Sequence, residues 1–159
     1  MRRIGVFVCH CGINIAQNVD VTALTDYASH LNGVVVAKEY KYMCSDVGAT
    51  LIKDAIKEFN LDGVVIASCS PRMHEHTFRR VANDGGVNPS RGEISNIREQ
   101  CSWVHNNKEQ ATEKAKYLVR SAISKALSLE PLKLSKLKVI PETLVIGGGI
   151  AGIQTALDL

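Results

Sequence analysis

The sequence predicts an α/β domain with a mostly parallel sheet and flanking helices, because apolar strands alternate with amphipathic helices along the chain. Residues 4–8 (IGVFV) are continuously apolar, as expected for a strand that is buried on both faces. Further strands are predicted at residues 34–40, 64–67 and 93–98. Strand–helix units of about 30 residues favour parallel pairing with right-handed crossovers.

Each predicted helix begins at a residue that can cap it. Asp20 precedes the first helix, Ser45 the second, and Ser70 the third, where a following proline fits the first turn. A longer fourth helix is predicted from about residue 107 to residue 129, with an apolar face along its second half. These elements predict a flavodoxin-like or related α/β sandwich for residues 1–130, although their pattern does not give the strand order.

The composition is that of an ordinary globular domain, with 45% hydrophobic and 22% charged residues and a net charge of +3. No apolar run approaches the roughly 18 residues that a membrane span needs. The run after Met1 is also too short for the core of a signal peptide. Basic residues between positions 108 and 138 fit a solvated helix face and a linker. We therefore expect a cytoplasmic protein that binds neither nucleic acid nor a membrane.

All five cysteines stand at or just beyond the carboxyl end of a predicted strand. They are Cys9, Cys11, Cys44, Cys69 and Cys101. In an open parallel sheet these strand ends share one edge, which is where ligands usually bind. An odd count without an export signal argues against a disulfide scaffold. Because iron–sulfur clusters are typically held by about four cysteine thiolates, the placement predicts a candidate metal centre at this edge.

Placement alone leaves three alternatives open for the cysteines: buried structural thiols, an iron–sulfur cluster, and zinc or dithiol redox chemistry. The sequence contains neither the close cysteine spacing of ferredoxins nor a Cys-x-x-Cys pair or zinc knuckle. Nearby histidines are candidates for ligating a metal or tuning a cluster, although a surface or capping role is the simpler interpretation of each. These histidines are His10, His74, His76 and His105. Trp103 is interpreted as a core anchor.

A glycine motif near the end of the sequence predicts a second domain. The predicted strand TLVI leads into Gly147, Gly149 and Gly152, which have the spacing Gly-x-Gly-x-x-Gly. Such glycines make a tight turn, let a pyrophosphate approach the backbone, and allow close packing of a helix on a strand. Residues 131–142 are predicted to be a linker. Residues 143–159 are predicted to be the truncated Rossmann-type start of a dinucleotide-binding domain, which does not bind a dinucleotide by itself.

Five segments, taken in order, resemble HdrA, the heterodisulfide reductase family of methanogens and related anaerobes that supplies the enzyme's flavin-containing polypeptide. Four of the segments carry the cysteines and the fifth carries the glycine motif, so the resemblance runs along nearly the whole chain. The segments are VFVCHCGINI (6–15), YKYMCSDVG (40–48), ASCSPRMHEHTFRR (67–80), NIREQCSWVH (96–105) and TLVIGGGIAGI (143–153).

The resemblance implies an iron–sulfur flavoprotein with a role in electron transfer and methanogenesis. Proteins of this family carry a 4Fe–4S cluster in their first domain, followed by an FAD-binding thioredoxin-reductase-like domain and ferredoxin modules. Their FAD is thought to bifurcate electron pairs between ferredoxin and the heterodisulfide of coenzymes M and B. By this resemblance the five cysteines are candidate cluster ligands, of which four suffice. Gly147, Gly149 and Gly152 are the candidate contacts to FAD in the full-length protein.

The resulting hypothesis is that residues 1–130 relay single electrons between a partner and FAD within an oxidoreductase, with no catalytic residue in this region. The resemblance implies several partners: other heterodisulfide reductase subunits, an electron donor of the hydrogenase or formate dehydrogenase type, ferredoxin, and a second copy of the full-length protein. The alternatives are a non-redox subunit-docking module with structural cysteines, and a zinc-stabilised domain.

Overall fold

The computed structural model describes residues 2–133 and 135–159. Its four strands are β1 (Ile4–Cys9), β2 (Val34–Tyr40), β3 (Gly63–Ser68) and β4 (Gly92–Asn96). Every pair of neighbouring strands is parallel, and the strand order is β2-β1-β3-β4. The predicted α/β class is therefore confirmed. The order is that of the first four strands of the flavodoxin-like arrangement.

Helices connect the strands and cover both faces of the sheet. They are α1 (Val21–Ser29), α2 (Asp46–Glu58), α3 (Pro71–Gly85), α4 (Lys108–Ser128) and α5 (Ile150–Asp158). Two short 3-10 turns flank β4, at Pro89–Arg91 and Ser102–Val104. Among the residues that the structure describes, no helix combines the length and apolar character needed to cross a membrane.

The predicted helix caps are confirmed. The side chain of Asp20 accepts a hydrogen bond from the backbone N–H of Ala23 at 3.0 Å. Ser45 caps α2 and Ser70 caps α3 in the same way, since each side chain accepts a backbone N–H of the first turn. The helix α3 ends at Gly86, whose φ of 106° lies in the left-handed region that favours glycine.

Side chains of the central strands alternate between two separate cores, because successive strand residues point to opposite faces of the sheet. Val6 and Val8 of β1 pack with α1 and α4, whereas Phe7 and Cys9 pack with α2 and α3. All residues of β1 and β3 are buried, as predicted for strands covered on both faces. This arrangement fixes the carboxyl ends of β1 and β3 side by side at one edge.

The predicted strand at residues 143–146 is wrong. These residues have no regular secondary structure, and Leu144 and Ile146 are 83% and 89% exposed. An apolar run becomes a strand only beside another strand that accepts its hydrogen bonds, and no described strand pairs with this one. The predicted linker also lacks regular structure where it is described, and at its start the N–H of Leu132 donates to Ser90 at 2.9 Å. The division into domains stays a prediction.

Candidate metal centre

The cysteines that follow β1 and β3 lie at the point where the chain connections diverge to opposite sides of the sheet. From β1 the chain crosses outward to β2, whereas from β3 it crosses in the other direction to β4. In open α/β sheets the crevice outside the strand ends at such a switch point is the usual ligand site. Cys9 is the last residue of β1, and Cys69 directly follows β3. The fold therefore places these two cysteines at the position that favours a ligand.

The sulfur of Cys9 is held by backbone groups. The residue is 4% exposed, and its Sγ accepts N–H hydrogen bonds from Cys11 at 3.3 Å and from Met43 at 3.4 Å. Burial raises the pKa of the Cys9 thiol, the two N–H groups lower it, and the neighbouring Cys11 and Cys44 raise it. Two donors aimed at one sulfur favour its thiolate form, which is the form that binds metal.

Cys11 is presented by an unusual turn of the backbone. Its φ is 51°, and Gly12 follows with a φ of 65°, so two consecutive residues adopt the left-handed conformation. A side chain at position 12 would in addition lie 3.1 Å from the hydroxyl of Tyr42. The turn leaves the sulfur of Cys11 half-buried, where it accepts a hydrogen bond from Nη1 of Arg98 at 3.1 Å.

Cys69 shares its surroundings with the two cysteines of the first loop. It is 5% exposed, and burial raises the pKa of its thiol to about 11. The charge of Arg98 lowers that pKa, whereas Cys11, Glu99 and Cys9 raise it. Cys69 thus lies within electrostatic reach of both Cys9 and Cys11.

Cys44 is the exposed member of the group. It stands in the loop between β2 and α2, one residue before the cap Ser45, and it lies near enough to Cys9 to raise the pKa of that thiol. The loop is tightly fixed, because a side chain at Gly48 would meet the backbone oxygen of Met43 at 2.5 Å. The structure therefore brings Cys9, Cys11, Cys44 and Cys69 into one neighbourhood at the sheet edge.

Cys101 faces elsewhere. It is 0% exposed and belongs to the core between the sheet, α1 and α4. Its Sγ donates to the carbonyl oxygen of Ala111 at 3.0 Å. Burial raises the pKa of its thiol, and the charge that lowers it again is that of Lys114. Cys101 follows a strand end in sequence, but its side chain packs into the apolar core.

Arg98 is a site residue that the sequence did not reveal. It is 9% exposed, and besides Cys11 its guanidinium contacts Sδ of Met73 at 3.1 Å and Oε1 of Glu99 at 2.8 Å. It also stacks on Trp103, with 4.5 Å between the guanidinium carbon and the ring centroid. The interpretation of Trp103 as a core anchor is wrong, since the residue is 57% exposed and supports Arg98. The only signal in the sequence was that Arg98 lies between a strand end and a cysteine.

The four candidate histidines have ordinary packing or hydrogen-bonding roles where their contacts are defined. Nε2 of His10 is buried 3.9 Å from Glu39, and Nδ1 of His105 hydrogen-bonds to the backbone oxygen of Cys101 at 2.8 Å. His74 packs edge-on against Phe78. Within residues 2–133 and 135–159, no three or more His, Cys, Asp or Glu side chains surround a point where one metal ion could bind. A cluster differs in this respect, because each of its irons binds its own thiolate.

The glycine motif has the local form that was predicted. Gly147 has a φ of 122°, and α5 begins at Ile150 directly after the turn. A side-chain atom at Gly152 would overlap the carbonyl oxygen of Gly147, so this close approach requires glycine. The backbone N–H of Ile153 donates to Gly149 at 3.0 Å and starts the helix. These residues form a glycine-rich turn that opens a helix, as dinucleotide-binding loops do.

Comparison with known proteins connects these features to one family. No protein-family model matches the chain. The chain is 59% identical over 158 residues to the HdrA protein of the H(2):CoB-CoM heterodisulfide,ferredoxin reductase of Methanothermobacter thermautotrophicus. It is 54% identical to the iron-sulfur HdrA protein of the CoB–CoM heterodisulfide reductase of Methanocaldococcus jannaschii. It is 50% identical to the HdrA protein of the ferredoxin/F(420)H(2)-dependent CoB-CoM heterodisulfide reductase of Methanosarcina acetivorans.

These matches cover 99% of this chain but only 24%, 24% and 20% of the three relatives, so the chain spans about a quarter or less of their length. The alignment includes the cysteine segments and the glycine motif alike, because it extends over 158 of the 159 residues. Over the region that it spans, the chain belongs to the HdrA family of heterodisulfide reductases.

Proposed function

We propose that residues 1–130 hold one 4Fe–4S cluster through Cys9, Cys11, Cys44 and Cys69, and relay single electrons through it. The observation that carries this proposal is the separation of the cysteines into two groups. Four thiols are neighbours at the switch point of the sheet, whereas Cys101 is buried in an apolar core. Four thiolates are the typical ligand set of such a cluster.

The surroundings of the four sulfurs fit an anionic, sulfur-ligated group. When bound, the cluster would accept one electron from a reduced donor and pass one electron to an oxidised acceptor. The chain supplies backbone N–H groups to the sulfur of Cys9 and a guanidinium to that of Cys11. Hydrogen bonds to cluster sulfurs and nearby charge are the means by which a protein tunes such a centre.

The ligands would differ in their access to solvent, which suits a relay. Cys9 and Cys69 are buried and shield their side of the cluster from water, whereas Cys44 is exposed. The exposed ligand would bring the cluster to the surface where a partner protein can approach it. No bond-making step is needed from these residues, because their task is to bind, orient and solvate the group that carries the electron.

For the whole protein we propose a cytoplasmic oxidoreductase component of the heterodisulfide reductase type. The names of the relatives mention ferredoxin, F420H2 and, for the Methanocaldococcus jannaschii protein, an iron-sulfur function. On that basis ferredoxin and other heterodisulfide reductase subunits are the proposed partners. FAD is the proposed ligand of the loop formed by Gly147, Gly149 and Gly152, with electron bifurcation at that flavin as the activity that the relay serves.

The relay is tested by direct electron transfer from a reduced ferredoxin. The chain is reconstituted anaerobically with iron and sulfide and mixed with the ferredoxin under argon, while its visible absorbance is followed. We expect the absorbance to bleach as each chain takes up one electron. The Cys44→Ala variant, reconstituted in parallel, should give no such change. A reconstituted chain that stays oxidised beside an excess of reduced ferredoxin would contradict the relay.

A non-redox docking module is a second candidate, favoured by apolar side chains exposed near the same edge. Ile13, Met73 and Val104 are 70%, 59% and 64% exposed, and they stand in or beside the loops that carry the cysteines. In this alternative the cysteines are structural. A docking module would bind its partner equally well after replacement of the exposed Cys44 and would never show the visible absorbance of a cluster.

A further inference from the structure

The charge of Arg98 is buried at the candidate metal centre. Only 9% of the residue is exposed, and a buried guanidinium is costly unless its donors are paired. Its acidic partner is Glu99, which accepts from Nε at 3.3 Å and from Nη2 at 2.8 Å. The Nη1 group points to the sulfur of Cys11 instead of a second carboxylate. One of the strongest donors in the protein is therefore directed at a cysteine.

The backbone and its neighbours fix this geometry. Oδ1 of Asn96 accepts the N–H groups of Arg98 at 3.2 Å and Glu99 at 3.0 Å, and the turn that they form ends β4. The ring of Trp103 covers the guanidinium at 4.5 Å, and Sδ of Met73 receives the remaining donor at 3.1 Å. A planar group held on several sides cannot turn away from Cys11 without breaking these contacts.

The acceptor at Cys11 is poorly matched to this donor while the thiol is neutral. A thiol sulfur is a weak acceptor, whereas a thiolate forms a strong charge-assisted hydrogen bond with a guanidinium. Burial lowers the pKa of Arg98, but hydrogen bonds to Glu99 and Cys11 raise it further, so its pKa lies above the ordinary value. Arg98 therefore stays positively charged at any working pH, whatever is bound at the cysteines.

We propose that Arg98 is a positioning residue that sets the reduction potential of the cluster by placing a fixed positive charge on the sulfur of Cys11. This inference rests on the proposed function. Reduction adds one electron, supplied by the donor protein, and makes the cluster more negative. A fixed cation beside a ligand sulfur stabilises the reduced form more than the oxidised form, so it raises the potential. Glu99 opposes this effect, because its negative charge stands behind the guanidinium.

The test compares midpoint potentials of variants in EPR-monitored redox titrations of the reconstituted 159-residue chain. Arg98→Gln should lower the equilibrium constant for reduction at least tenfold, which corresponds to about 59 mV for a one-electron couple. Arg98→Lys should lie between that variant and the wild type, because it keeps the charge but loses the planar fork. Arg79→Gln is the matched control, since Arg79 pairs with Glu75 on α3 and should leave the potential unchanged.

Glu99→Gln separates an electrostatic role from a merely structural one, because it should shift the potential upward while Arg98→Gln shifts it downward. Loss of packing alone would not produce opposite signs. If Arg98→Gln fails to hold iron, the direction of the Glu99→Gln shift still decides. Potentials that stay at the wild-type value with full iron content would overturn the role of Arg98 and leave the proposed function standing. A wild-type chain without iron would overturn both.

Discussion

Replacing Cys101 and replacing Cys44 should have opposite consequences. Cys101 is 0% exposed within the core formed by the sheet, α1 and α4, and its thiol donates to Ala111 at 3.0 Å. Cys101→Ala removes one buried sulfur, leaves a void of about one heavy atom and breaks a weak hydrogen bond. Such a change costs about 1–2 kcal/mol of unfolding free energy. For a domain of this size that lowers Tm by about 3–8 °C.

Cys44→Ala should leave the stability of the metal-free protein nearly unchanged, because the residue is exposed. Surface substitutions usually alter the unfolding free energy by no more than about 0.5 kcal/mol. The same substitution removes one proposed ligand, so the reconstituted variant should bind less iron and sulfide than the wild type. Cys101→Ala should in contrast bind the wild-type amount.

Two assays on each variant measure these effects: urea unfolding of the reduced, metal-free protein, and iron and sulfide analysis after anaerobic reconstitution. Cys101→Ser extends the comparison, since it keeps a donor for Ala111 but buries a more polar atom. Loss of iron from Cys101→Ala, while its metal-free form keeps wild-type stability, would refute the assignment of Cys101 to the core. Binding of iron and sulfide by Cys44→Ala at the wild-type level would refute the assignment of Cys44 as a ligand.

Three further predictions concern the scaffold around the site. Gly48→Ala should destabilise the protein by more than about 2 kcal/mol in urea unfolding, because the new Cβ would lie 2.5 Å from the backbone oxygen of Met43; wild-type stability would contradict the tight loop. Asp20→Ala should cost about 1 kcal/mol by removing the cap of α1, whereas Asp20→Asn should cost less. The metal-free protein should lose stability from about pH 9 to about pH 11, because unfolded Cys69 releases its proton near 9 and folded Cys69 near 11, so that the folded state binds more protons in this window. A flat stability profile across that window in pH-dependent unfolding would contradict the burial of this thiol.

The sequence predicted the layered fold well because its signals are local. Runs such as residues 4–8 are buried on both faces of a central strand, and the caps Asp20, Ser45 and Ser70 act through their own first turns. These interactions depend on neighbours in the chain and hardly on distant contacts. Strand order depends on long-range packing instead, and the periodicity of single elements does not contain it.

The candidate site was predicted in outline, but its membership was not. Topology places every strand end at one edge, so the general location of the cysteines followed from their positions in the sequence. The direction of a side chain after a strand depends on the turn that follows. The turn at Cys11 has left-handed backbone angles and presents its sulfur to Arg98, whereas Cys101 lies beyond the turn capped by Asn96 and enters the core.

Two errors have the same physical origin, the influence of partners that are distant in sequence. Residues 143–146 have the apolar character of a strand, but no described strand lies beside them to accept their hydrogen bonds. Trp103 has the size of a core residue, but its ring serves as an exposed support for the guanidinium of Arg98. In both cases composition predicted burial, and the surrounding contacts determined the outcome.

The proposed cluster is tested most directly by the iron and sulfide content of the anaerobically purified wild-type chain, with EPR of its reduced form. We predict about four irons and four sulfides per chain, held by four thiolates, and a signal that appears on uptake of one electron. Fewer than about three irons per chain after anaerobic reconstitution, or zinc in place of iron, would contradict a 4Fe–4S cluster at Cys9, Cys11, Cys44 and Cys69.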